Sequence, residues 1–146
     1  GAKLIDILQE VRLDPSILEK PHLRPTYDEP EFIIRNIWRL YGGWYDGNPA
    51  RLKPSPDQAL ASELASLAGG TLALAERAST LMTRDIRLAC HLVELAVQSD
   101  PLNQAAHEIR AAIYQYRRNQ ETSLMAKGIY GAASNESKAV LSDESP

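Results

Sequence analysis

The chain has 146 residues, a formal net charge of −3 and 44% hydrophobic residues. That length suits one domain whose core hides roughly two-thirds of the unfolded surface. Scattered lysines and arginines exclude a basic stripe for nucleic acid, and no apolar run nears the roughly 20 residues of a membrane span. The single cysteine, Cys90, excludes an internal disulfide.

Lys3 to Arg12 places Leu4, Ile7, Leu8 and Val11 at helical spacing. Leu13-Asp14-Pro15 ends that helix, because the residue before a proline avoids the helical region. Ser16 to Pro30 is proline-rich and reads as extended, with a short turn at Ile17-Leu18. It suits either the surface of a neighbouring domain or an ordinary linker. Asp28 then opens a helix, with Pro30 in its first turn and Glu31 completing a near capping box. Ile33, Ile34, Ile37, Trp38 and Tyr41 form its apolar face. Gly42-Gly43 stops it, and Asp46-Gly47 and Asn48-Pro49 are two successive turn signals.

Ser55-Pro56-Asp57-Gln58 predicts a capped helix start, with Leu60, Leu64, Leu67 and Ala68 facing inward and Gly69-Gly70 as the stop. Thr71 caps a helix that buries Leu72, Ala75, Ala78, Leu81 and Met82. Asp85 caps the next, whose apolar set is Ile86, Ala89, Cys90, Val93, Ala96 and Val97. Asp100-Pro101 ends it and starts the last helix, expected to use Leu102, Ala105, Ala106, Ile109, Ala112, Ile113 and Tyr116 and to run to about Lys127. Ser134 to Pro146 is small, polar and charged, as in a disordered tail.

The predicted fold is therefore all-α: an antiparallel helical array behind an extended, proline-rich N-terminal segment. Residues 71 to 101 match one tetratricopeptide-like hairpin, with Ala89, Val93, Ala96 and Pro101 suiting its second helix and closing proline. One or two such hairpins cannot bury all their apolar faces, so a partner surface is expected.

Both tryptophans and two of the six tyrosines lie in Ile33 to Pro49, IIRNIWRLYGGWYDGNP, in a chain with only 6% aromatic residues. This stretch and the alanine-rich helices after it resemble the dimerisation domain of the alkyl sulfatases of the metallo-β-lactamase superfamily. The resemblance runs from about Leu4 to Tyr130, and Gly43 to Ala50 (GWYDGNPA) is its most specific part. It implies three segments: residues 1–30 as a helix and linker leading from a hydrolase domain outside this sequence, 31–130 as the dimerisation domain, and 131–146 as a polar tail. It further implies homodimer formation and packing on that catalytic domain. The whole protein would hydrolyse sulfate esters at a two-zinc centre, with no zinc ligand and no catalytic residue in this chain. Members of the family often continue into a sterol-carrier-like domain, whereas LSDESP (Leu141–Pro146) reads as a chain end. The expected domain or subunit contacts are Trp38, Tyr41, Trp44, Tyr45, Asp46, Asn48, Ile113, Tyr116, Leu124 and Met125.

Residue chemistry apart from the resemblance is sparse. His22, His91 and His107 are far apart, without the clustered spacing of a zinc site. His91 and Glu94, or Cys90 and Glu94, share helix faces, but a packed cysteine beside a surface histidine explains them better. Arg117-Arg118 could hold an anion or simply form a solvated face. No nucleophile elbow or phosphate-binding loop is present. An alternative reading is a free-standing tetratricopeptide-like adaptor that binds a protein or peptide, which would need more repeats than the one seen.

Overall fold

The computed structural model describes residues 2–143. Of the expected chain end, Glu144 to Pro146 lie outside the described residues. Among the described residues the chain forms eight α-helices, one 3-10 turn and no strand. They fall into two units: the residues up to Pro54 together with Thr122–Met125, and Ser55–Glu121 with the residues from Ala126 onward.

The first unit opens with α1 (Leu4–Glu10), whose Leu8 is its buried residue. The Asp6 carboxylate accepts a hydrogen bond from the Lys3 backbone N–H at its start. The expected extended segment departs from prediction at α2 (Pro15–Leu18). Pro15 starts a helical turn rather than only ending α1, because proline's missing N–H costs nothing at a first helical position and the Asp14 carboxylate accepts from Ser16 N–H at 2.9 Å. Helix α3 (Pro30–Tyr41) is capped at Glu29 rather than Asp28. The Asp28 carboxylate instead accepts from the Glu29 N–H. Gly42 remains helical, and Gly43, at φ 82°, makes the left-handed exit. Two backbone hydrogen bonds join Thr26 and Tyr27 to Leu124 and Met125, and the Ser123 hydroxyl donates to the Tyr27 carbonyl at 2.8 Å.

The second unit is an array of α4 (Asp57–Ala68), α5 (Thr71–Leu81), α6 (Ile86–Ser99) and α7 (Gln104–Gln120), followed by α8 (Leu124–Asp143), which belongs to this unit from Ala126. Helix α6 packs on α4, α5 and α7. One cluster joins Ala65, Leu74, Ala75, Ala96, Val97 and Ala106. A second joins Ala78, Leu81, Ala89, Val93, Ile113 and Tyr114. Alanine is prominent in both, and small side chains let helix axes approach closely.

Local expectations shift in several places. Pro56, not Ser55, flanks α4, and no side chain caps it. Gly70 precedes α5, and the Thr71 hydroxyl is 2.8 Å from that of Ser99. The inward face of α4 is Ala61 and Ala65, while Leu60 is 52% and Leu67 78% exposed. Leu72 is likewise exposed, with Leu74 buried in its place. Asp85 caps α6 as predicted, accepting from Leu88 N–H at 3.0 Å. Asp100-Pro101 forms a turn, and Asn103 caps α7. That helix stops at Gln120 rather than Lys127. Residues 131–143, expected as a tail, continue α8, with Ser134 and Ser137 buried. Burial is possible because each hydroxyl is bonded: Ser134 donates to the Ala111 carbonyl at 3.0 Å, and Ser137 meets His107 and Arg110, both at 3.0 Å.

Candidate association surface

Helix α3 carries hydrophobic residues on one face, yet none of its residues is buried. Ile33, Ile37 and Leu40 are exposed, and Tyr41 is 83% and Trp44 75% exposed. Most of the exposed large apolar side chains of the chain belong to this first unit, although it is the smaller one. Scattered apolar residues on a surface are ordinary. An amphipathic helix that packs on α1 yet leaves Ile33, Ile37, Leu40 and Tyr41 exposed, continued by exposed aromatic residues, is the pattern of an interaction surface.

The loop after α3 is rigidly built. Gly47, at φ 90°, crosses the start of α1 so closely that a Cβ there would lie 2.9 Å from Lys3 Cγ. The Asp46 carbonyl accepts from Leu4 N–H. The Asp46 carboxylate accepts from Asn48 N–H at 2.9 Å and pairs with Arg51 at 2.6 Å. These two partners, the Asn48 amide first, hold its pKa below the ordinary carboxylate range. Asn48 in turn caps the 3-10 turn Pro49–Arg51 through Ala50 N–H. Trp44 and Tyr45 meet edge to face at 6.1 Å between centroids, on the outside of this brace.

The predicted contact residues separate. Trp38, Tyr41, Trp44, Tyr45, Asp46 and Asn48 lie in the first unit, joined by Leu124 and Met125 through their backbone bonds to Thr26 and Tyr27. Leu124 exposes its side chain; Met125 is half-buried. Tyr116, half-buried, and Ile113 lie in the second unit. Ile113 is 0% exposed and packed in the helical core, so it has no free surface to offer a partner. Trp38 is also half-buried, and its indole N–H is enclosed without an acceptor. Leu40 of α3 is also exposed, as are Leu60 and Leu67 of α4, which the sequence pattern had pointed inward. Their signal was an apolar stripe wider than one buried face needs.

Several buried titratable groups of the second unit are spent on structure. Arg110 donates to Glu94 at 2.7 Å, to the Ala133 carbonyl at 2.7 Å, to Ser137 at 3.0 Å and to Glu136 at 3.3 Å. Burial alone would loosen its proton; the Glu94 carboxylate outweighs this and holds the guanidinium charged. Its guanidinium lies over the Tyr114 ring, which stacks on Tyr130, which Arg117 covers from beyond. Burial and then Glu94 push the Tyr114 phenol up. Burial also pushes the Cys90 thiol up to about 11, against the pull of Arg117. His107 places Nε2 3.0 Å from the Pro101 carbonyl, so that nitrogen carries the proton and Nδ1 accepts from Ser137. With both nitrogens engaged, it is no ligand. Among the described residues, no group of three or more His, Cys, Asp or Glu side chains is placed to hold a metal. The residues of this chain therefore do not fit a zinc centre. No helix among them is long and apolar enough to cross a membrane.

An all-α scaffold with a braced aromatic loop and large apolar side chains left exposed defines an association module. The particular family follows from comparison: residues 3–139 match the family model for alkyl sulfatase dimerisation, and the chain belongs to that family. It is 31% identical over 107 residues to the alkyl/aryl-sulfatase BDS1 of Saccharomyces cerevisiae, covering 73% of this chain and 17% of that protein. It is 30% identical over 112 residues to a linear primary-alkylsulfatase of a Pseudomonas species, covering 76% and 17%. Among solved structures it resembles the stereoselective inverting sec-alkylsulfatase Pisa1 of Pseudomonas, with a TM-score of 0.84, 26% identity, and coverage of 94% of this chain and 22% of that one. The chain thus spans about a fifth of these relatives.

Proposed function

We propose that the chain pairs with a second copy of itself through the apolar face of α3 and the aromatic loop that follows, with Trp38, Tyr41, Trp44 and Tyr45 at or beside the contact. The observation that carries this reading is the amphipathic α3 with no buried residue. A folded unit gains little from an apolar helix face left in water, and about 25 cal/mol per Å² becomes available when a partner covers it. Asp46 and Asn48 contribute by fixing the loop rather than by touching the partner. Leu124 offers a second exposed point on the same unit.

We further infer that the whole protein hydrolyses sulfate esters, since the matched relatives are named alkyl or alkyl/aryl sulfatases. We assign that activity and its zinc to a catalytic domain of the same polypeptide, on which this one packs, on the strength of the resemblance to the alkyl sulfatases.

Static light scattering over a concentration series tests the pairing. The expected result is a mass rising to twice 16.2 kDa. A mass that stays at one copy up to several hundred micromolar overturns the proposed pairing.

A further inference from the structure

We propose that the recess lined by Arg118, Asn119 and Lys127 binds a small tetrahedral oxoanion, sulfate or phosphate, either free or as the head of a monoester. The recess is open, about 430 Å³, and no carboxylate lines it. Arg118 and Lys127 enter no ion pair among the described residues, while their neighbour Arg117 is committed to Glu121 at 2.7 Å and to the Tyr130 ring. Asn119 uses its amide oxygen to accept from Gln115 at 3.0 Å. Its two N–H groups remain available to an acceptor.

The chain brings the two cations together at a cost. Gly131 lies inside α8, where glycine is about 1 kcal/mol worse than alanine. A Cβ at that position would lie 3.2 Å from Arg118 Nε and 3.3 Å from its Cδ. The missing side chain is what lets the arginine lie against α8. Lys127 precedes Gly131 by four residues, so it occupies the same helix face one turn away. The guanidinium and the ammonium are therefore neighbours. Lys127 is also the fourth residue of α8, near the helix end whose dipole disfavours a cation. Two like charges placed so, without an acidic neighbour in the recess, are relieved by a bridging oxoanion. The planar fork of the arginine suits two oxygens of a tetrahedral group, and the lysine adds a point charge.

The test is an amide-resolved NMR titration with sodium sulfate, sodium phosphate and sodium ethyl sulfate, each against sodium chloride at matched ionic strength. The expected result is saturable shifts at residues 118, 119, 127 and 131, with a dissociation constant on the order of 1 mM. Arg118→Gln and Lys127→Gln should each weaken binding at least tenfold. Gly131→Ala keeps both charges and should still weaken it several-fold by displacing the arginine. Saturation by ethyl sulfate as well as sulfate identifies a monoester head as a ligand; saturation by the inorganic ions alone identifies a free-ion site. Equal shifts with chloride, or sulfate binding unchanged in all three variants, overturn the proposal.

Discussion

Trp44→Ala separates association from folding. A tryptophan side chain offers up to about 250 Å² for burial, and Trp44 is 75% exposed. If a second copy covers that exposed share, about 190 Å² leaves water, equivalent to roughly 4–5 kcal/mol at 25 cal/mol per Å². Subtracting the alanine methyl that remains, and about 1 kcal/mol for ordering the ring, leaves about 3 kcal/mol for each copy. A two-fold interface counts this twice, about 6 kcal/mol in all, so the dimer dissociation constant should rise by roughly ten-thousandfold. The folded single copy loses only the edge contact with Tyr45 and the covered quarter of the ring, about 1 kcal/mol. Sedimentation equilibrium gives the association constant. Urea unfolding of the dilute protein gives the stability of one copy. A dissociation constant within threefold of the parent, whatever the stability, refutes the placement of Trp44 in the contact. A fall of about 3 kcal/mol or more in the stability of one copy, the cost typical of a core aromatic, refutes its exposure.

Other perturbations report on the second unit. Arg110→Met strands Glu94 beside a buried gap and removes four hydrogen bonds. It should cost about 3–5 kcal/mol and strip hydrogen-exchange protection from residues 130 to 142, whereas a loss under about 1 kcal/mol, no more than a surface pair is worth, would disprove the anchoring role. Ala75→Leu places a large side chain where exposure is 0% between close helices, and should cost about 1–3 kcal/mol in urea unfolding. Cys90 has its folded thiol raised from 9.0 to about 11. Its protonated form is therefore favoured in the native state, stability is intact below pH 9, and it falls as pH rises from 9 toward 11 because only the unfolded thiol ionises there. At about pH 8 the native thiol should react with a disulfide reagent at least tenfold more slowly than the urea-unfolded chain; equal rates would refute its burial. Acid should loosen the 43–51 loop, since Asp46 is held below its ordinary value, and Asp46→Asn should remove that acid response of Trp44 fluorescence.

The helices themselves were legible because their punctuation is local. Gly69-Gly70, Asp85 and the aromatic loop after α3 act through residues within a turn of one another. What escaped depends on distant partners. Residues 121–123 hold no proline or glycine, so nothing local signals a break; the chain leaves the helix because Ser123, Leu124 and Met125 bond to the carbonyls of Thr26 and Tyr27. The polar, charged composition of 134–146 reads as a disordered tail, but Ser134 and Ser137 bury because Ala111, His107 and Arg110 bond to them. On α4, leucine periodicity pointed to the wrong face, because close helix contact selects alanine and leaves the leucines outside. The contact set was legible in the aromatic loop, where composition is unusual. It failed at Ile113, where an apolar residue on a long helix looks the same whether it faces a partner or its own core.

The first unit is closed by residues almost a hundred positions apart, Tyr27 and Ser123. On a ribosome the N-terminal portion emerges long before the segment that fastens it. The α4–α7 array can form as it is made, since its contacts are between helices close in sequence. The aromatic surface therefore waits, unfastened, until the start of α8 leaves the exit tunnel. Under the proposed pairing, two chains meet only after residue 123 of each has emerged, and a truncation before it would leave the first unit unfastened.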